Sequence, residues 1–431
     1  MKKVKLISLF VVGLMMLTSL PAIPVMAQKE VKLSFWTHDQ LYLDYFKTRT
    51  AEFEKLHPDI KFTWDFVVNP DAGNAVLQAI AAGETPPDLL GIEQGTFPNF
   101  MKNGAIEKYF VDLTDLIKDP KEYAQGRMTL YTYNGKLYGL ESQLAATVFY
   151  YQPKIYKDNG IEIPKTWEDM LAAGDKLGPK GIAQNFATDN DSFFMTMLTQ
   201  RGGALFDKDA KFVLGDATNR PLAIEVATFI QKAVKNGTFT VVQNNDVWSG
   251  ATIPAQYEAG KLAGTVMPDW WAPAFLQPAV KDMSGKWAVA LPPVWAAGGH
   301  KTLTWGGTGW AISKQSPNVD LAKEFLAFTY LGVESQVKKF QAVNYYPWMP
   351  AAYKDPRVAD VADPFFGGQK LSEIYAQVAD DVPVWYQSPF RADYAKAAGD
   401  NLPLLFSGQI TPEQFVDNIV KTTQDAIDFG S

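Results

Sequence analysis

The sequence predicts an α/β fold in which mostly parallel sheets are flanked by helices. Runs with strand-like alternation are followed by segments with helical spacing, and this order repeats along the chain. The 431 residues are 47% hydrophobic, with Pro and Gly spread throughout, which is typical of a folded chain with two or three domains' worth of core. The stretch from 134 to 170 has the features of a passage from one lobe into another.

The first part of the chain supplies the clearest alternation. Predicted elements here are strands at 31–36, 60–66 and 88–92, a helix between Gln40 and Pro58, and a helix at 74–82. In open sheets of parallel strands, ligands sit beyond the carboxyl ends of the strands. The loops at 38–40 and 93–94 are therefore expected to contact a ligand.

The stretch from 134 to 170 combines a turn, a strand and a capped helix. Asn134-Gly135 favours a two-residue hairpin turn, and TVFYY at 147–151 has the composition of a buried strand. Thr166 is followed three residues later by Asp169, a pattern typical of a capping box at the start of a helix.

Strands and helices continue to alternate in the second half. Predicted strands lie at 181–186, 261–267 and 287–291, and a further strand ends near Ser313. Predicted helices lie at 222–235 and begin at Ser316-Pro317 and at Thr411-Pro412.

Five segments carry a pattern that is specific in combination: EKLHPDIK at 54–61, PPD at 86–88, the stretch at 134–170, YEAGKLAG at 257–264 and SPNVDLAKEFL at 316–326. In this order they resemble the extracellular solute-binding proteins of sugar ABC importers, a group that includes the maltose-binding proteins. The resemblance implies a two-lobed periplasmic-binding-protein fold with several hinge crossings. It also implies an N-lobe of 28–144 plus 308–354 and a C-lobe of 145–307 plus 355–431.

The first 27 residues have the pattern of a secretory signal peptide. Three lysines precede a short apolar run, and small residues precede a cleavage point at Gln28. Removing this segment leaves 404 residues and takes the formal net charge from −7 to −10. An acidic chain without basic clusters is not expected to bind nucleic acid. The sequence contains no Cys for lipid attachment, so we expect a freely diffusing, monomeric protein of the periplasm.

Sugar recognition needs flat apolar surface for ring faces and planar polar groups for hydroxyls. The chain has 12 Trp, several of them beside such polar groups. Neighbouring residues in an extended loop point to opposite sides, so one of Trp270 and Trp271 is expected to face a ligand while the other packs. The candidate ligand-binding residues are Trp36, His38, Asp39, Glu93, Gln94, Gln143, Asp189, Asn190, Asp269, Trp270, Trp271, Trp305, Gly307, Trp348 and Arg391.

Two other classes of function stay open. Asp189 with Asp191, or Asp39 with Glu93, could serve as the acid and base of a secreted glycosidase. A binding protein for a non-sugar solute is the second class, although an anion site needs converging cations and only Arg391 is a candidate. Three His, no Cys and no closely spaced His pair predict no transition-metal site, and no cofactor is expected.

The expected function is therefore capture of a sugar and its delivery to the permease subunits of an ABC importer, without catalysis. The segments at 130–140, 146–148 and 199–207 resemble the arabinose and arabino-oligosaccharide branch more than the maltose branch. We expect L-arabinose or a short arabinan to be preferred over maltose.

Overall fold

The computed structural model describes residues 28–430, so the predicted signal peptide at 1–27 lies outside the described residues. The strands are β1 Lys29–Thr37, β2 Ile60–Val68, β3 Leu89–Glu93, β4 Thr132–Tyr133, β5 Lys136–Leu137, β6 Leu140–Glu141, β7 Thr147–Tyr151, β8 Asn185–Ala187, β9 Phe239–Val241, β10 Gly264–Pro268, β11 Ala288–Ala290 and β12 Thr308–Ile312.

The longer helices are α1 Gln40–Glu54, α2 Ala72–Ala81, α3 Trp167–Leu177, α4 Asp191–Gln200, α5 Asn219–Lys235, α6 Val319–Tyr330, α7 Val333–Val343, α8 Arg391–Phe406 and α9 Pro412–Phe429. Shorter α-helical turns lie at Phe97–Met101, Ala105–Tyr109, Gln125–Met128, Pro153–Asp158, Asn244–Val247, Thr252–Glu258, Gln277–Ala279, Pro356–Ala359 and Leu371–Tyr375. Among residues 28–430, no helix combines the length and the apolar character that crossing a bilayer requires.

Two groups of strands form two lobes. The first lobe contains a five-stranded sheet in the order β2-β1-β3-β12-β6. The second lobe contains the three-stranded sheet β10-β7-β11 and the pair β8-β9, which an isolated parallel bridge between Ala183 and Leu262 connects to β10. The residue boundaries given above for the lobes remain a proposal.

The expectation of parallel pairing is met by β1, β2 and β3 in the first lobe and by β8 and β9 in the second. The sheets are mixed at β12 and β7, which run antiparallel to their neighbours. Both strands follow a crossing between the lobes. β1 and β3 end at the interlobe edge, whereas β12 begins there, with Thr308 opposite Glu93. A strand that enters its sheet from this edge must run away from it.

Local sequence signals are confirmed at several element ends. Asn134 and Gly135 have φ of 48° and 73° in the turn between β4 and β5, and Thr166 forms the capping box of α3. The helix predicted to begin at Ser316-Pro317 begins two residues later, at Val319. The Ser316 hydroxyl accepts a hydrogen bond from the Asn318 N–H at 3.0 Å, which holds this segment as a turn before the helix.

Each lobe is filled by aromatic residues. In the first, the Phe46 ring meets Trp310 edge-on at 4.6 Å and stacks on Phe325 at 5.5 Å. In the second, Phe229 meets Trp167 at 5.6 Å and Trp295 at 5.2 Å. Rings packed in this way fix the helices against the sheets.

Within residues 28–430, three chain segments pass between the two lobes, at 142–146, 302–307 and 344–349, and we call them together the hinge; the third lies before the lobe boundary at 354 that the resemblance implies. The first two pair through an antiparallel bridge between Ala146 and Thr304. The third joins the first, because the Leu144 N–H donates to the Tyr346 carbonyl at 3.1 Å. Chain crossings that are hydrogen-bonded to each other restrict the relative motion of the lobes to a bend about one place.

Candidate functional site

A cleft of about 750 Å³ lies between the two lobes and meets the hinge at its floor. Its lining consists of His38, Asp39, Gln40, Tyr42, Val68, Pro70, Glu93, Gly95, Asn190, Asp191, Ser192, Trp248, Trp270, Ala274, Phe275, Trp305, Gly306, Gly307 and Tyr345. Its size falls within the range typical of ligand pockets.

One side of the cleft, the polar wall, is formed by the ends of β1 and β3. Asp39 caps α1 by accepting a hydrogen bond from the Leu41 N–H at 2.9 Å, and its second oxygen accepts from the hydroxyl of Tyr345. Glu93 is the last residue of β3 and accepts from the Gly95 N–H at 2.6 Å. The strand ends therefore bring two carboxylates to the same wall, as the sequence predicts for parallel strands.

Burial shifts the pKa values of two groups on the polar wall. It raises the pKa of Glu93 to about 7, against the opposing effects of the Gly95 N–H and the nearby charge of Arg391. It lowers the pKa of His38, so this imidazole is neutral near pH 7. The wall can therefore both accept and donate hydrogen bonds at neutral pH.

The opposite side, the aromatic wall, is formed by Trp248, Trp270, Phe275 and Trp305. Trp248 lies 5.5 Å from Phe275, 6.1 Å from Trp270 and 6.5 Å from Trp305 between ring centroids. The indole N–H of Trp270 donates to the Trp305 carbonyl at 2.9 Å, which fixes the ring against the hinge. This wall offers flat apolar surface suited to the C–H face of a ring.

The floor of the cleft is the backbone of Gly306 and Gly307. Both have positive φ, 71° and 106°. A Cβ on Gly306 would lie 3.0 Å from the Trp270 indole nitrogen, and one on Gly307 would lie 2.0 Å from a guanidinium nitrogen of Arg127. At Gly307 both the conformation and the space exclude a side chain, and at Gly306 a Cβ would be in a strained conformation and in tight contact with the Trp270 ring.

The N-terminus of α4 adds polar groups beside the aromatic wall. Asn190 caps the helix through the Ser192 N–H at 2.9 Å, and its amide donates to the Asn244 side chain at 3.1 Å. The buried Arg391 forms an ion pair with Asp191 and donates to the Ser192 hydroxyl at 3.3 Å. The charge of Arg391 is thus neutralised by Asp191.

The structure places seven of the fifteen candidate residues on the cleft lining: His38, Asp39, Glu93, Asn190, Trp270, Trp305 and Gly307. Eight lie outside the lining: Trp36, Gln94, Gln143, Asp189, Asp269, Trp271, Trp348 and Arg391. Their surroundings explain why.

The three outlying tryptophans are packing residues. Trp36 lies opposite Leu90 within the first sheet and is partly buried against its core. Trp271 stacks on Phe275 at 5.0 Å behind the aromatic wall, and Trp348 packs on Tyr123 at 4.4 Å. Of the adjacent pair, Trp270 lines the cleft and Trp271 does not.

The outlying polar residues support the cleft from behind. Gln143 accepts from the hydroxyl of Tyr42 at 3.2 Å, and Asp189 accepts from the Asn244 N–H at 2.7 Å. In the amide orientation that its neighbours favour, Gln94 accepts from the Gly306 N–H at 3.0 Å and donates to the Gly306 carbonyl at 3.2 Å. Asp269 is buried in the hinge, where it accepts from the N–H groups of Trp270 and Tyr346.

Several lining residues are missing from the candidate set, chiefly Tyr42, Ser192, Trp248, Phe275 and Tyr345. Tyr42 lies at helical spacing from the core residues of α1, so the sequence pattern does not distinguish it from them. Trp248 stands in the polar run NNDVWSG, and an isolated large aromatic residue in such a run is the signal that could have identified it.

The arrangement is suited to holding a ligand by stacking and hydrogen bonding. Among residues 28–430, no group of three or more His, Cys, Asp or Glu side chains is placed to hold a metal ion. The carboxylates of Asp39 and Asp191 are engaged by a helix N-terminus and by Arg391 respectively.

Comparisons with known proteins agree with this geometry. The profile of the bacterial extracellular solute-binding protein family matches residues 48–365. A Bacillus subtilis (strain 168) protein named arabinooligosaccharide-binding protein is 30% identical, covering 94% of this chain and 96% of that protein. A protein of the same name from Halalkalibacterium halodurans is 25% identical, covering 91% and 89%.

Solved structures share the fold. The transporter-associated binding protein of B. animalis subsp. lactis Bl-04, in complex with β-1,6-galactobiose, matches with a TM-score of 0.72 and 23% identity, covering 93% of this chain and 97% of that one. The predicted two-lobed fold is thereby confirmed. From the family profile and the full-length relatives together, the chain belongs to the bacterial extracellular solute-binding protein family.

Proposed function

We propose that this protein captures a short arabino-oligosaccharide, or L-arabinose, between its lobes and delivers it to the permease of an ABC importer. The observation that carries the proposal is the pairing of a polar wall with an aromatic wall across one cleft. A sugar ring presents apolar C–H faces and a rim of hydroxyls, and these two walls match those two kinds of surface.

The ligand contacts are divided between the lobes. His38, Asp39 and Glu93 belong to the first lobe, whereas Trp248 and Trp270 belong to the second. A sugar that touches both walls binds the closed arrangement better than an open one. Ligand binding therefore shifts the hinge equilibrium towards closure by the difference in its affinity for the two states.

Two observations favour arabino-oligosaccharides among sugars. Two full-length relatives are named for binding them, and the segments at 130–140, 146–148 and 199–207 resemble that branch. A cleft of about 750 Å³ also has room for more than one pentose ring. A short oligosaccharide, which could place successive rings along the aromatic wall, fits this space better than a monosaccharide.

Calorimetric titration with arabinotriose, L-arabinose and maltose tests the sugar. We expect arabinotriose to bind at least tenfold more tightly than maltose, a difference of about 1.4 kcal/mol. Equal affinities, or a preference for maltose, would contradict the assignment to arabinose-containing sugars while leaving a role in sugar transport open.

A glycosidase is less well supported because three of its four candidate carboxylates have other partners, which leaves Glu93 without the second free carboxylate that the reaction needs. Asp39 caps α1 and accepts from the Tyr345 hydroxyl, Asp191 forms an ion pair with Arg391, and Asp189 accepts from the Asn244 N–H. The same ion pair weakens the case for an anion site, since Arg391 carries no free charge to offer. Chromatography of arabinotriose after long incubation with the protein should recover it intact, and cleavage in proportion to protein concentration would favour the hydrolase.

The location and the partners follow from the same proposal. We propose that the signal peptide directs the chain to the periplasm, where it acts as a monomer and docks on permease subunits once closed. Some relatives are named lipoproteins, but this sequence has no Cys for that attachment.

A further inference from the structure

Besides Arg127 and Glu141, two further charged side chains are buried beside the hinge, and neither lines the cleft. Lys339 on α7 and Asp269 after β10 are each 1% exposed. Burying a charge is costly unless hydrogen bonds and an opposite charge compensate it. The contacts of Lys339 and Asp269 show which parts of the chain these two groups hold.

Lys339 binds two of the three crossing segments from the first lobe. Its ammonium group donates to the Ser142 carbonyl at 2.6 Å and to the Tyr346 carbonyl at 3.1 Å, and also to the Gln336 side chain at 3.0 Å. An ammonium group has three donors, so these three bonds use all of them.

Asp269 binds the same two crossings from the second lobe. One carboxylate oxygen accepts from the Tyr346 N–H at 3.1 Å, and the other accepts from the Trp270 N–H at 3.0 Å. The Asp269 N–H donates to the Ala146 carbonyl at 3.2 Å. The Tyr346 residue is thus held at its carbonyl by Lys339 and at its N–H by Asp269.

The electrostatic surroundings agree with a coupled pair. Burial raises the pKa of Asp269 to about 7 and lowers the pKa of Lys339 to about 7, while each charge favours the other. The other charged groups that act on them are Glu141, near Lys339, and Arg127, near Asp269. Loss of either charge would leave its partner buried without compensation.

We propose that Lys339 and Asp269 are positioning residues that hold the third crossing between the lobes and thereby set the place of Trp270 on the aromatic wall. Trp270 is joined to Asp269 by a peptide bond, and Asp269 is joined to the third crossing by its hydrogen bond from the Tyr346 N–H. This inference rests on the proposed function only in taking a sugar as the ligand of the cleft.

The test compares Lys339→Met, Asp269→Asn and the double variant with Lys338→Met. Lys338 is the matched control. It directly precedes Lys339 on α7 and pairs at the surface with Glu52 at 2.7 Å. We expect each single hinge variant to bind arabinotriose about tenfold more weakly. The double variant should lose less than the two single losses combined, because it leaves no unpaired charge. Lys338→Met should bind like the parent protein.

A ligand-free measurement separates this inference from the proposed function. In the ¹H–¹⁵N spectrum, assigned with Trp270→Phe, the indole signal of Trp270 should move in Lys339→Met and Asp269→Asn but not in Lys338→Met. In the parent protein, the pKa of the Lys339 ammonium should be well below that of the surface lysines, which is about 10.4.

The outcomes are distinct. If no sugar binds to the parent protein, the proposed function fails, while the Trp270 signal still decides the inference. If the Trp270 signal is unmoved in both hinge variants, or if both bind arabinotriose like the parent, the inference is overturned. Should Lys339→Met fail to fold, the nearly isosteric Asp269→Asn carries the same test alone.

Discussion

Arg127, buried beside the hinge, and Glu93, partly buried in the wall of the cleft, are both ionisable groups, and their partners differ. Arg127 is fully buried. It donates twice to Glu141, at 2.7 and 3.0 Å, and also to the Thr304 hydroxyl at 2.6 Å and to the Gly306 carbonyl at 2.8 Å. Glu93 accepts from the N–H of Gly95 in its own loop and lines an open cleft.

The difference separates structural from binding roles. Beside the hinge, one guanidinium joins the second crossing, at Thr304 and Gly306, to Glu141, the last residue of β6, which directly precedes the first crossing. In the cleft, a carboxylate retains capacity for a partner that the protein does not supply. A charge with complete protein partners stabilises the fold, and one with incomplete partners is available to a ligand.

The largest effect expected from this comparison is at Arg127. Arg127→Met would leave the Glu141 carboxylate buried without its counter-charge, and we expect a loss of about 3–5 kcal/mol in the free energy of unfolding. Urea unfolding measures it. The control is Arg220→Met, which removes an exposed ion pair with Asp417 and should change stability by about 1 kcal/mol or less. Similar losses of stability in Arg127→Met and Arg220→Met would show that the buried ion pair contributes no more to the fold than an exposed one.

Trp270 and Trp271 allow the same comparison of a binding role with a structural role at the aromatic wall. Trp271 is buried behind the wall, so Trp271→Ala should lower the free energy of unfolding by about 3–5 kcal/mol. Trp270 lines the cleft, so Trp270→Ala should weaken arabinotriose binding by about 1–3 kcal/mol. Calorimetry and urea unfolding on both variants test this division. If Trp270→Ala binds like the parent, the aromatic wall does not contact the sugar.

The local features could be predicted because their causes are local. The Asn134-Gly135 turn and the Thr166 capping box depend on residues a few positions apart, and both are found. The polar wall could also be predicted at His38, Asp39 and Glu93, since strand ends gather at one edge of a parallel sheet.

The rest depends on contacts between distant parts of the chain. Arg127 meets Glu141 after 14 residues and Thr304 after 177, and no periodic pattern in the sequence relates them. Asp269 stands beside Trp270 in sequence and was for that reason a candidate for ligand contact. Its side chain instead turns to Tyr346, which only the folded hinge brings near.

The smallest effect in this series is the pH dependence of binding at Glu93. Burial raises the pKa of this carboxyl to about 7, so its charged form is gained as the pH rises through that value. A carboxylate accepts hydrogen bonds from sugar hydroxyls, whereas the protonated form has lost part of that capacity. Sugar affinity should therefore rise with pH between 6 and 8, by up to about tenfold, or about 1.4 kcal/mol.

Glu93→Gln separates this group from the other titrating residues. The amide keeps the shape and stays neutral, so its affinity should be low, and its rise between pH 6 and 8 should be smaller than that of the parent protein. The part of the rise that remains reports other groups with a pKa of about 7, Asp269 and Lys339 among them. The sign for stability is opposite to that for binding. Because the folded-state pKa is raised, the contribution of Glu93 to folding is fully present at acidic pH, below the ordinary value of 4.5, and is lost as the pH rises through about 7. If the arabinotriose affinity of the parent protein is flat from pH 6 to 8, Glu93 does not bind the sugar as a carboxylate. Its position in the cleft then gives it no binding role that separates it from Arg127.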